Sequence, residues 1–160
     1  MNIERDLYMG IDPGASGGLA LVNRPGLVVD VTKMPETESD IADYFLEFAP
    51  RIRMAYIEAV HSMPKQGVSS SFKFGMSYGA LRMALFACKI PFETVTPQRW
   101  QKAMFCMSGG DKNVTKARAQ ALFPGQKITH AVADALLIAE HRRRVSLHGP
   151  VKIEISEAIA

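Results

Sequence analysis

The sequence predicts an α/β domain: a five-stranded mixed sheet, an antiparallel meander followed by parallel strands, with helices on its faces. Three observations predict it. Three β-type runs follow one another through short turns in the first third of the chain, a spacing that suits antiparallel neighbours. Near residue 37 the hydrophobic period changes to that of a helix, and helical and strand-like segments then alternate. Three further helical stretches close the chain, and parallel strands need such crossovers and cover.

Residues 7–11 form the first β-type run, ending at Asp12, and Gly14, Gly17 and Gly18 supply a tight reversal. Residues 19–22 are the second run, Asn23-Arg24-Pro25-Gly26 a turn, and residues 27–31 the third. Thr37 and Asp40 have capping-box spacing, and Ile41, Tyr44, Phe45 and Phe48 recur helically until Pro50. Residues 54–57 read as a buried strand ending at Glu58. A longer helix is predicted over 70–87, closed by Pro91, then a strand over 92–95. Thr96-Pro97 opens the next helix, because Thr caps it and proline at the first position forfeits only an unpaired N–H. Gly109-Gly110 breaks the chain, a helix covers 112–122, and the last begins near Thr129 with Ala131, Val132, Ala135, Leu136 and Ala139 on its apolar side. Residues 1–150 make one domain; the tail, 151–160, alternates like a strand and has no assigned role.

Composition narrows the class. The chain has 160 residues, 48% hydrophobic and 22% charged, enough for a core without disulfides or structural metal. The two cysteines, Cys88 and Cys106, have no paired metal spacing and fit a reducing cytoplasm. No signal peptide or membrane span is expected: the apolar stretch near 81–88 is short and flanked by charge. The net charge of +3 hides a split. Residues 1–50 carry 3 basic against 9 acidic side chains, residues 51–150 carry 15 against 5. Such polarity suits a polyanion, although scattered solvated lysines would give the same count.

Three acids sit where acids are costly for folding and useful for metals. Asp12 ends the first strand, Glu58 ends the fourth, and Asp134 interrupts an apolar helix. Ionised carboxylates beside a core need partners, and a divalent cation gathers several at once. With the first and fourth strands adjacent and parallel, both acids emerge at one sheet end, and a helix packed across that end aims Asp134 at them. His130, four residues earlier on the same helical face, points the same way. Taken singly, an Asp before Pro-Gly is usually a turn former and a His near a helix start usually a capping residue; the joint pattern is more specific.

With these residues in place the sequence resembles the RuvC-like Holliday-junction resolvases, particularly the compact phage and prophage type, within the ribonuclease H-like superfamily. The resemblance rests on Gly10-Ile11-Asp12-Pro13-Gly14 with Gly17-Gly18, on Tyr56-Ile57-Glu58, on Ser71-Phe72-Lys73-Phe74-Gly75 continuing to Tyr78-Gly79, on Val95-Thr96-Pro97-Gln98-Arg99-Trp100, and on residues 130–139. It spans residues 7–144. It implies a ribonuclease H-like fold and a homodimeric endonuclease of the phage or bacterial host cytoplasm that nicks four-way DNA junctions in symmetrical pairs. Two Mg²⁺ or Mn²⁺ ions per site are implied, with Asp12, Glu58 and Asp134 as ligands and Asp12 bridging both. His130 matches a position that holds a carboxylate or histidine, as ligand or proton-transfer group.

The resemblance also gives the cations work. Lys102 and Lys112 align with lysines near the scissile phosphate, where an ammonium stabilises developing charge; the plainer account of each is a solvated lysine. Lys65, Lys73, Arg82, Arg99, Lys116 and Arg118 suit phosphate contacts along the duplex arms. Arg142-Arg143-Arg144 is explained equally well by the helix dipole. Where the family often carries an aromatic wedge, three positions after the second acid, this chain has His61 and then Met63; Phe72 and Phe74 are further candidates. Gly75, Met76, Gly79, Ala80 and Met83 give the long helix a small, adaptable side for dimerisation or for packing on its own sheet.

Three other readings compete. Another ribonuclease H-like nuclease acting on flaps, other branched DNA or RNA would share the same acids. Gly10-Ile11-Asp12-Pro13-Gly14 also resembles the first phosphate loop of actin-like kinases and ATPases, but those need two such domains, so no nucleotide cofactor is expected. A non-catalytic DNA-binding module would gain nothing from three acids that repel phosphate.

Overall fold

The computed structural model describes residues 4–60 and 67–149. His61, Met63, Lys65 and the tail 151–160 lie outside the described residues. Ten elements follow the expected order: β1 (Leu7–Asp12), β2 (Gly18–Asn23), β3 (Val28–Lys33), α1 (Glu38–Phe48), β4 (Ile52–Glu58), α2 (Val68–Ala87), β5 (Phe92–Val95), α3 (Pro97–Ala103), α4 (Lys112–Leu122) and α5 (His130–His148). The strands form one sheet in the order β3-β2-β1-β4-β5. β1 pairs antiparallel with β2 and parallel with β4, and β4 pairs parallel with β5. No described helix is long and apolar enough to cross a membrane.

Period-two alternation divides the sheet residues between two cores. Leu7, Met9 and Ile11 face α1 and α2, where Ile41, Phe45, Leu81 and Leu85 meet them. Tyr8, Gly10 and Asp12 face the other way, toward α5. On that side α5 packs with α3 and α4 around Tyr56, Val95, Trp100 and Met104. A Cβ on Gly10 would overlap the backbone of Ala135 and Ala139, so the absent side chain lets helix and strand touch main chain to main chain.

The caps expected at Thr37 and Thr96 form. Thr37 and Thr96 accept from the backbone N–H groups of Asp40 and Arg99, and Pro97 occupies the first turn of α3. Asp111 caps α4 through the Asn113 N–H at 2.9 Å. The arginine run at the end of α5 has a more specific role than dipole compensation. Arg142 pairs with Glu93 at 3.2 Å and lies over the Tyr56 ring, while Arg143 and Arg144 both bind Glu140 at 2.7 Å.

Candidate active site

Parallel pairing of β1 with β4 brings Asp12 and Glu58 out at the same sheet end, as Ile11 lies opposite Ile57. The first turns of α5 cross that end, with Gly18 against the Ala131 carbonyl and Gly10 beneath Ala135, and this places Asp134 over the strands. Asp12 and Asp134 are both buried, and Glu58 is half-buried. The three acids are close enough to feel one another. Burial, reinforced by Glu58 and Asp134 and partly offset by Lys112, pushes the Asp12 carboxyl up to about 7. Burial also raises Glu58, with Trp100 opposing the shift and the Asp134 charge adding to it.

Each of the other two acids has a dedicated donor. The Trp100 indole Nε1–H donates to Glu58 at 2.6 Å, and the Lys112 ammonium donates to Asp134 Oδ2 at 2.7 Å. Burial alone would lower the Lys112 pKa, but its bond to Asp134 and the charges of Asp12 and Glu58 outweigh this and raise it. The second Asp134 oxygen, Oδ1, is buried with no hydrogen-bond partner among the described residues. Among the described residues no group of three His, Cys, Asp or Glu side chains converges as a ready-made metal cage. The donor set nevertheless suits a hard divalent cation: carboxylate oxygens on three elements, one of them orphaned, with mutual repulsion that a cation would relieve.

The remaining expected residues fall into separate groups. His130 is exposed at the first position of α5, one turn before Asp134. Lys102 is exposed on α3, and Lys116 is half-exposed on α4. Lys73 and Phe74 line a cleft of about 420 Å³ with Gly14, just beyond Asp12. Phe72 is exposed on the outer face of α2. Arg118 commits its Nε to the Met104 carbonyl at 2.7 Å. Arg82 is not gathered with the acids; it lies 5.6 Å from the Phe92 ring centroid, at the opposite end of β5 from Val95, the partner of Glu58. Arg99 is exposed, and its charge acts on His141 in the rear half of α5. Around Gly75 and Gly79 there is open space, and Met76 and Met83 are exposed, so these residues form an outward face of α2 while Leu81 and Leu85 meet the sheet.

Sequence reasoning missed Trp100 as the partner of Glu58. The available signal was chemical: a fully buried indole N–H requires an acceptor, and Trp100 is 0% exposed.

No protein-family model and no curated protein matches the chain. Among solved structures it is similar to RuvC of Thermus thermophilus. In complex with a Holliday junction substrate, that protein superposes with a TM-score of 0.67 at 20% identity, over 90% of this chain and 97% of the other. A second Thermus thermophilus RuvC structure gives 0.66 at 19% identity, over 88% and 96%. The fold is therefore RuvC-like, of the ribonuclease H-like type.

Proposed function

We propose that the chain is a divalent-metal-dependent endonuclease that hydrolyses phosphodiester bonds in branched DNA, with four-way junctions as its substrate. The observation that carries the reading is the gathering of Asp12, Glu58 and Asp134, from two strands and a helix, at one end of a RuvC-like sheet with Lys112 beside them. Burial and neighbouring charge raise the Asp12 and Glu58 pKa values, and acids so placed are poor structural elements and common functional ones. The solved neighbour bound to a Holliday junction supports the choice of substrate.

Asp12, Glu58 and Asp134, with His130 at the rim, would hold two Mg²⁺ or Mn²⁺ ions. Such ions supply Lewis acidity, activating the attacking water and neutralising charge on the phosphate. The chain's own residues do the rest. Trp100 binds one oxygen of Glu58 and so restrains its carboxylate. Lys112 pairs with Asp134 and, with 58% of its side chain exposed, can also reach a bound phosphate. Lys102, Lys73 and Lys116 supply phosphate contacts that position the duplex arms. The outward face of α2 provides the surface for a second copy, so that two sites make the paired nicks that a four-way junction requires.

The test is incubation of labelled four-way junction, flap, linear duplex and RNA–DNA hybrid with Mg²⁺, Mn²⁺ or EDTA, alongside Asp12→Asn. Paired symmetrical nicks in the junction, absent with EDTA and in the variant, are expected. Preferential cutting of flap or hybrid would move the assignment to another ribonuclease H-like nuclease. Junction binding without cleavage under any metal would leave a binding module.

A further inference from the structure

The loop between α3 and α4, residues 104–111, joins the two elements that hold the acids' partners. On one side α3 carries Trp100, bonded to Glu58; on the other α4 begins with Lys112, bonded to Asp134. Both ends of the loop are thus tied to the acidic end of the sheet. Its side chains alternate sharply: Met104 and Cys106 are buried, whereas Phe105 and Met107 are 79% and 58% exposed. Phe105 has φ 57°, a left-handed backbone that bulky residues rarely adopt.

That projection is held from both sides. The Arg118 Nε donates to the Met104 carbonyl, and its guanidinium carbon sits 6.0 Å from the Phe105 ring centroid. The Gln101 side-chain oxygen accepts from the Ser108 N–H and hydroxyl at 3.2 and 3.3 Å, and the Cys106 N–H donates to the Gln101 carbonyl at 2.9 Å. A loose loop would let an aromatic ring fold back on the core; this one is built to keep it out.

The surroundings favour nucleic acid as the occupant. From residue 99 to residue 118 the chain carries Arg99, Lys102, Lys112, Lys116 and Arg118 against one acid, Asp111, which is engaged as the α4 cap. An exposed aromatic in a basic segment offers a π-face to a base while nearby cations take the backbone, the arrangement by which single-stranded nucleic acid is held. The outward apolar face of α2, with Val68, Phe72, Met76 and Met83, lies on another element.

We propose that Phe105, flanked by Met107, is a stacking platform for an unpaired or unstacked base beside the phosphate being cut. This rests on the nuclease reading and adds a base contact to it. The experiment is fluorescence anisotropy of the full chain with a four-way junction and with linear duplex across a salt series, comparing wild type with Phe105→Ala, Met107→Ser and Phe105→Trp. A junction with 2-aminopurine at the branch reports stacking directly. Phe105→Ala should weaken junction binding about 10-fold and abolish the 2-aminopurine quench, with linear duplex within about 2-fold and an unchanged salt slope; Phe105→Trp should restore both. Equal junction affinity and quench in wild type and Phe105→Ala would overturn the platform while leaving the nuclease reading intact. A uniform loss on both DNAs with a shallower salt slope, or a change in sedimentation of Phe105→Ala, would also overturn it, in favour of a phosphate contact or a protein contact. If wild type binds none of the DNAs, it is the underlying reading that fails.

Discussion

Two carboxylates on α5, six residues apart, are buried to the same degree and satisfied in opposite ways. Asp134 is 5% exposed and Glu140 is 4% exposed. Glu140 uses both oxygens, accepting from Arg143 and Arg144, and although burial alone would raise its pKa these bonds hold it below the usual value. Asp134 has one exposed lysine on one oxygen, no partner on the other, and two acidic neighbours. The rear of the helix is a completed ion-pair cluster that holds the fold, whereas the front retains charge and acceptor capacity for something that binds. A buried acid therefore says little by itself; how completely its oxygens are paired distinguishes structure from function.

Removing charge at each end of α5 separates the two roles. Asp12→Asn should lower the junction-cleavage rate by ~10³-fold or more, while its thermal midpoint without added metal stays equal or rises, because a repelling charge is gone. An Asp12→Asn protein that unfolds on purification would place the acids with the fold instead. Glu140→Ala should do the reverse: about 3 kcal/mol lost in urea denaturation, from two arginines left unpaired, with cleavage per folded molecule nearly unchanged. Lys112→Met should reduce cleavage about 30-fold with much less loss of stability, since its side chain is largely exposed.

The pH dependence of stability separates the two ends by sign. Asp12 rises from 3.8 to about 7 on folding, so its contribution is intact below about 4 and is lost as pH rises through 7. Glu140 is lowered, so its contribution is present above 4.5 and is lost as pH falls through its folded value. His141, lowered by burial and by Arg99, Arg142 and Arg144 from 6.5 to about 4, acts in the same direction as Glu140: stability falls as pH drops from 6.5 toward 4. Denaturation without divalent ions should show the high-pH loss, of about 4 kcal/mol, shrink in Asp12→Asn to the part that the raised Glu58 contributes. The low-pH loss should persist in that variant. The smallest effect expected is Trp100→Phe, about 10-fold in kcat, with Glu58 left in place but less firmly oriented.

Much of this was legible because the signals are local. Pro97 after Thr96 marks the start of α3, and the short turns between the first three strands dictate the meander. Asp12, Glu58 and Asp134 stood out because an acid at a strand end or within an apolar helix contradicts its own neighbourhood. Pairings across the fold carry no such signal. Trp100 with Glu58, Arg142 with Glu93 and Arg118 with Met104 join residues 14 to 49 positions apart. Either partner alone looks like an ordinary core or surface residue. The projection of Phe105 was also invisible, since an aromatic between Met104 and Cys106 reads as more core until the backbone turns it outward.

Gly10 has a consequence for how the site tolerates change. Because α5 meets β1 main chain to main chain at Gly10, two residues before Asp12, the gap between Asp12 and Asp134 is gauged there by backbone contact. Substitutions among the apolar residues of either core can make the chain fold more or less firmly without retuning that gap. Even an added methyl at Gly10 would shim the helix away from the strand and spoil the alignment in a protein that still folds. The core is free to drift; Gly10 and Gly18, where a side chain would meet the backbone of α5, set the calibration.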